Sequence, residues 1–184
     1  MPGQDCQVRM KLKVLFLILT LKMSLIISAE SFGIVVHGGA GVLSGLSIER
    51  QQEIENKVKD TLISAYKILE DGGSSMDAVE FAVSEFEDST LFNAGKGSVY
   101  NSNEVQEMDA SIMNGADRSA GAVASVQIIK NPIKLARKVL EETDHVLLVG
   151  QGAEIFAKDI EETVVDRSYF HSEKNLKRLK KVKK

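Results

Sequence analysis

Met108-Asp109-Ala110-Ser111-Ile112-Met113-Asn114-Gly115, followed closely by Ser119-Ala120-Gly121-Ala122-Val123-Ala124-Ser125-Val126, is where the architecture can be read. Glu107–Met113 alternates, with Met108, Ala110 and Ile112 on one side and Asp109, Ser111 and Met113 on the other. Ala120–Ile129 alternates in the same way, Val123 and Ser125 opposing Ala124 and Val126. A period of two is the signature of a strand, so these segments predict two neighbouring strands. Their small residues allow an opposing layer to sit close. Asp109 on a half-buried strand needs a partner, and a structural hydrogen bond suits that position better than catalysis.

Upstream, the period changes. Ile54, Val58, Leu62, Ala65 and Leu69 recur at spacings of three and four, which predicts a helix from Ser47 to Asp71. Ser47 suits the N-cap, and Gly72-Gly73 ends the helix. A second helix is predicted over Ser75–Glu87 with Met76, Val79, Val83 and Phe86 as its buried stripe. Phe32–Val36 reads as a short strand entering a glycine loop. Downstream, Asn131-Pro132 opens a helix that runs to about Thr143. His145–Val149 reads as a strand, Gln151–Lys158 as a short helix, and Ser172–Lys184 as a basic helix or frayed tail. Two helices and then two strands favour a layered α+β arrangement over a doubly wound parallel sheet.

The formal net charge of −3 hides three regions. Residues 1–29 hold four basic residues and one acid, and residues 172–184 hold seven and one. That leaves 12 basic against 24 acidic residues in 30–171. An acidic body lacks the clustered positive surface that nucleic acid requires. The lysine-rich tail reads as a solvated helix end or linker. The only cysteine, Cys6, falls in the first 29 residues, so the remainder offers neither a disulfide framework nor a thiolate zinc site. Residues 1–29 have the order of a secretory signal: a basic stretch, the apolar run Val14–Leu21, and Ser28-Ala29 for cleavage. The start is either Met1 or Met10. The chain is expected to be secreted or in the secretory pathway, and cytoplasmic if the leader is not a true signal.

Two glycine-rich loops carry the functional reading. His37-Gly38-Gly39-Ala40-Gly41 lacks both GxGxxG and GxxxxGK[ST], so its glycines point to close backbone approach and not to a phosphate cradle. In Leu91-Phe92-Asn93-Ala94-Gly95-Lys96-Gly97-Ser98, Gly95 and Gly97 let carbonyls turn inward, as ligands for a hard cation do. Taken alone, that segment also fits a tight loop with a capping asparagine.

In this order, and with Ala-Gly-Ala-Val (120–123) and Asn131-Pro132-Ile133-Lys134-Leu135-Ala136-Arg137, these motifs resemble the plant-type asparaginase/isoaspartyl aminopeptidase family of N-terminal nucleophile hydrolases. The resemblance runs from about Gly33 to Ala157. It implies an αββα sandwich that cuts itself once, exposing a threonine whose hydroxyl is activated by its own α-amine. It implies hydrolysis of L-asparagine and isoaspartyl (β-aspartyl) peptides, an (αβ)2 assembly, and no cofactor beyond a structural sodium ion. His37, Gly38, Gly39 and Gly41 match the glycine loop near the nucleophile, and Asn93 matches the asparagine beside it. The carbonyls of Phe86, Glu87, Ser89, Phe92, Ala94 and Lys96 match the sodium loop.

The threonine itself should follow glycine, as in Gly-Thr-Val-Gly. Thr20, Thr61, Thr90, Thr143 and Thr163 all lack that context. Residues 1–29 are therefore expected to be a leader, 30–165 the α-portion of the asparaginase-like domain, and 166–184 the linker before the cleavage point. On this expectation the chain is the α-portion of the hydrolase and inactive alone. The competing expectation is a secreted, truncated, non-catalytic paralogue that acts by binding or regulation.

Overall fold

The structure is a computed structural model, and it describes residues 32–39 and 45–184. The expected leader at 1–29, and Ala40 and Gly41 of the first glycine loop, lie outside the described residues. The body described below comprises residues from Gly33 onward.

Helix α1 spans Ile48–Glu70. Ser47 caps it by accepting from the Arg50 N–H at 3.3 Å. It ends where Gly72, at φ +86°, lets Gly73 N–H reach back to the Ile68 carbonyl at 2.8 Å. Helix α2 spans Ser75–Glu87 and starts with a capping box. The Asp77 N–H donates to Ser74 Oγ at 3.1 Å, and the Ser74 N–H donates to Asp77 Oδ2 at 3.0 Å. Its buried stripe differs from the sequence expectation. Ala78, Ala82, Ser84 and Phe86 are buried, while Val79 is 43% exposed. Helix α1 packs on α2, and the small Ala78 and Ala82 permit a closer approach than valine would.

Strands β1 (Met108–Met113) and β2 (Ala120–Val126) are antiparallel, and β3 (Leu147–Val149) adds parallel to β2. Helix α3 (Pro132–Glu142) makes the crossover from β2 to β3, and α4 (Gly150–Asp159) follows β3 directly. A short 3-10 turn over Arg167–Phe170 leads into α5 (Glu173–Val182). The layered α+β expectation holds for the described residues. The Phe32–Val36 strand does not: that segment has no regular structure, and Val35 is 94% exposed. A strand exists only where a neighbouring strand takes its hydrogen bonds, and the described sheet consists of the three later strands.

One face of the sheet is the core. Met108, Ile112, Val123 and Val126 pack with Ile129, Ile133, Leu135, Val139 and Phe170. Gly121 lets α3 settle onto β2, because a Cβ there would lie 2.2 Å from the Ala136 carbonyl oxygen. The alternation in β2 breaks at a bulge. Met108 pairs with Val126 but Ala110 pairs with Val123, so Asp109 opposes both Ala124 and Ser125. Ser125 sits at φ +54°, and its N–H donates to Asp109 Oδ1 at 2.8 Å. The extra residue returns Val126 to the core face with Val123. Asp109 thus has the structural hydrogen bond expected of it.

The opposite face is open. By register, Met113, Ala120, Ala122, Ala124, Leu147 and Val149 share it. Met113 is 58%, Leu147 50% and Val149 54% exposed.

Candidate functional site

Helix α2 stops at Glu87, and the chain folds back onto that end. Two glycines permit the turn. Gly95 has φ +46°, and a Cβ on it would lie 2.3 Å from the Glu87 carbonyl oxygen. A Cβ on Gly97 would lie 2.1 Å from the Phe92 carbonyl oxygen and 2.9 Å from that of Ser89. The carbonyls of Glu87, Ser89 and Phe92 therefore crowd one short turn that any side chain at Gly95 or Gly97 would fill. Of the other expected sodium ligands, Phe86 O accepts from Ser89 N–H at 3.2 Å and Ala94 O accepts from Gly97 N–H at 2.9 Å. Phe86 O also accepts from the Asp88 N–H, whereas Ala94 O retains a second lone pair. Among the described residues no cluster of three His, Cys, Asp or Glu side chains suits a metal. The expected ligands are main-chain oxygens, and those of Glu87, Ser89 and Phe92 lie around this turn.

The turn is tied down on both sides. Arg50 Nη2 on α1 donates to the Thr90 carbonyl at 3.3 Å. Lys130 Nζ and Asn131 Nδ2, just before α3, each donate to Asp88 at 3.2 Å. Glu87 is buried, its Oε1 accepting from the Ile133 N–H at 3.0 Å, while Oε2 has no partner among the described residues. Burial pushes its carboxyl up to about 8, although hydrogen bonds from Ile133 and Asn131 pull the other way.

The first glycine loop meets this turn. A Cβ on Gly38 would lie 3.2 Å from Phe92 Cε1 and 3.5 Å from Val58 Cγ2, so Gly38 runs across the Phe92 ring and α1. Phe92 is buried and stacks on Phe86 with ring centroids 4.5 Å apart. Gly39, at φ +96°, donates its N–H to His37 Nδ1 at 3.3 Å. Asn93, next to Phe92, faces solvent. Its Oδ1 accepts from the Val99 N–H at 2.9 Å, and its Nδ2 has no partner among the described residues. An exposed amide fixed through its oxygen presents its NH2 group as the donor. The structure thus brings His37, Gly38 and Gly39 to the same region as Asn93 and the carbonyl turn. Gly41 lies outside the described residues.

Two side chains in this region were not legible as site residues. Gln106 is buried, and Nε2 donates to the Ser98 carbonyl at 2.8 Å and to Ser98 Oγ at 3.1 Å. Asn175 on α5 donates from Nδ2 to the carbonyls of Gly97 at 3.2 Å and Ser98 at 3.1 Å. The signal for Asn175 was faint: an uncharged amide among lysines, beside Leu176 and Leu179 on the half-buried side of α5. A cavity of about 310 Å³ opens nearby between Tyr100–Gln106 and Arg167–His171, but His37, Gly38 and Asn93 do not line it.

A family model described as asparaginase matches residues 30–184. An isoaspartyl peptidase/L-asparaginase of Homo sapiens is 47% identical over 150 residues, which is 82% of this chain and 48% of that protein. The Mus musculus protein of the same name is 47% identical over 151 residues, 78% of this chain and 46% of its own length. A plant-type L-asparaginase of Pyrococcus horikoshii is 50% identical over 125 residues, 68% of this chain and 40% of that protein. The chain thus spans about half the length, or less, of these curated relatives. With the family model covering most of its length and relatives at this level of identity, the chain belongs to the asparaginase family.

Proposed function

We propose that this chain forms the N-terminal portion of a threonine-nucleophile amidohydrolase acting on L-asparagine and isoaspartyl peptides. The observation that carries the proposal is the packing of Gly38 against Phe92, which sets the first glycine loop against the turn that bears Asn93. In this reading the nucleophilic threonine arrives on a second segment, since residues 1–184 contain no Gly-Thr-Val-Gly. Its hydroxyl adds to the substrate amide carbon, the amine or ammonia leaves, and water then releases the acyl group. In this reading Asn93 Nδ2 would donate to that hydroxyl or to the developing oxyanion.

The open sheet face supports the same reading. Met113, Leu147 and Val149 form an apolar surface that a second sheet would cover to complete an αββα sandwich. Two such αβ units would form the assembly. The carbonyls of Phe86, Glu87, Ser89, Phe92, Ala94 and Lys96 would hold a sodium ion that stiffens the turn bearing Asn93. Residues 1–29 would act as a leader directing export, 30–165 as the α-portion, and 166–184 as the segment leading to the cleavage point.

The test is hydrolysis of L-asparagine, read as released ammonia, and of a β-aspartyl dipeptide, read as released aspartate. The 184-residue chain alone is expected to be silent. Co-expressed with the portion of the mouse relative that it does not match, it is expected to gain hydrolysis that Asn93→Ala reduces at least tenfold. Turnover by the chain alone would overturn the assignment. So would no gain under conditions in which the mouse protein's own two halves reconstitute.

A further inference from the structure

We infer that Asn175, together with Gln106, is a positioning residue that orients Asn93 through a single peptide group. This inference rests on the reading of Asn93 given above, but only for its functional consequence. The peptide in question joins Ser98 to Val99. Its carbonyl accepts from Asn175 Nδ2 at 3.1 Å and from Gln106 Nε2 at 2.8 Å. Its N–H donates to Asn93 Oδ1 at 2.9 Å. Both lone pairs of the oxygen are therefore occupied, and the one hydrogen is spent on Asn93.

A peptide unit is planar, so its C=O and N–H vectors are rigidly opposed. Fixing the oxygen in two directions fixes the direction of the N–H. That N–H in turn selects the Asn93 conformer whose Nδ2 faces solvent. Hydrogen bonds accepted at a carbonyl also polarise the N–H of the same amide and strengthen its donation. Geometry and electronics thus push in one direction, from α5 to Asn93.

The supports around the two amides are specific. Asn175 is held at the start of α5, its N–H donating to Ser172 Oγ at 3.3 Å. The Ser172 N–H donates to Tyr100 Oη at 3.2 Å, and Tyr100 Oη contacts His171 Nδ1 at 2.9 Å. Lys183 Nζ reaches Glu104 at 3.4 Å near the far end of the helix. The segment 171–183 is thus fastened to 97–104 at both ends. Asn175 also bonds the Gly97 carbonyl at 3.2 Å, which braces the residue whose lack of a side chain shapes the carbonyl turn. The basic segment that reads in sequence as a solvated linker is, in this fold, the outer brace of the Asn93 loop.

The test is residue-resolved hydrogen exchange on the 184-residue chain, carrying Leu147→Lys and Val149→Lys on its open face to keep it in solution, comparing this parent with Asn175→Asp and Lys177→Ala added to it. Asn175→Asp keeps the size of the side chain and removes the donor. The Val99 amide is expected to exchange roughly tenfold faster in Asn175→Asp, with the Gly97 amide, which bonds the Ala94 carbonyl and shares its peptide with a carbonyl that Asn175 does not touch, unchanged. Lys177→Ala, on the exposed side of α5, is expected to leave Val99 at its parental rate. If Val99 exchanges alike in the parent and Asn175→Asp, the relay does not exist. If all amides from 97 to 104 accelerate together, Asn175 merely holds the segment in place and the inference is equally overturned. Because this readout needs no activity, failure of the hydrolase reading would leave it intact. In the reconstituted enzyme, Asn175→Asp is expected to lower kcat about tenfold with KM unchanged, and Asn175→Gln to recover part of the loss.

Discussion

At Gly97 the missing side chain is the functional feature. The Cβ of any other residue would occupy the space of the Phe92 carbonyl, 2.1 Å away, and that carbonyl is main chain and cannot rotate aside. Gly97→Ala is therefore expected to cost about 2–4 kcal/mol by forced displacement of the turn, read as a lower denaturation midpoint with an unchanged slope. Asp109 and Ser125 form a second decisive pair. Ser125 adopts a left-handed conformation that glycine tolerates better, and Asp109 holds its N–H. Asp109→Ala is expected to destabilise by about 1–2 kcal/mol. Ser125→Gly should be neutral to mildly stabilising, which urea melts of the two variants would check. Asp109 was legible in the sequence because a carboxylate on a half-buried strand demands a donor. The bulge was not, since alternation in β2 looks unbroken until the register with β1 is known.

Among the elements, the junction of α2 with α3 has a charge pattern that local sequence only half reveals. Ser74 and Asp77 cap α2 within four residues and can be read directly. Arg137 lies sixty residues later, yet Nη1 reaches Asp77 at 2.8 Å and Glu80 at 3.1 Å, while Nε reaches Glu141 at 2.6 Å. The Ser74 hydroxyl, and then Arg137, hold the Asp77 carboxyl down to about 2, below its ordinary 3.8. A carboxyl depressed in the folded state contributes stability above its unfolded value and loses it as pH falls through the folded one. The contribution should be complete above about pH 4 and fade toward pH 2. Asp77→Asn is expected to cost about 1 kcal/mol at neutral pH and to narrow its gap to the parent between pH 4 and pH 2, as paired thermal melts would record. The helices were legible from their spacing because each buries one stripe. Val79 was misplaced for the same reason: hydrophobic spacing cannot tell that α1 approaches closely enough to prefer Ala78 and Ala82. The Phe32–Val36 strand was over-read because β-branched composition marks a candidate strand without supplying the neighbour it needs.

For the molecule as a whole, the sheet presents two faces of unequal fate. One is closed by α3, α4 and the Phe170 side chain, and the other shows Met113, Leu147 and Val149 to solvent around a floor of alanines. Apolar residues this exposed on one face of a sheet lose the burial that each would otherwise gain, about 1.5–3 kcal/mol for a fully buried leucine or valine. Association is the physical outlet for that loss. The 184-residue chain should therefore self-associate or precipitate at micromolar concentration. Leu147→Lys combined with Val149→Lys should shift it toward monomer without changing its helical content, because neither side chain points at the core. Light scattering with circular dichroism would follow both quantities. A parent chain that is monomeric and melts cooperatively would mean that this face is satisfied by solvent alone, and the covered-sheet reading would lose its support. If instead the doubly charged variant, added to the portion of the mouse relative that this chain does not match, fails to reconstitute hydrolysis where the parent chain succeeds, the same face is identified as the one that receives that portion. Solubility and activity should then move in opposite directions on substitution of the same two residues, a combination that neither a general loss of fold nor a bystander surface would produce.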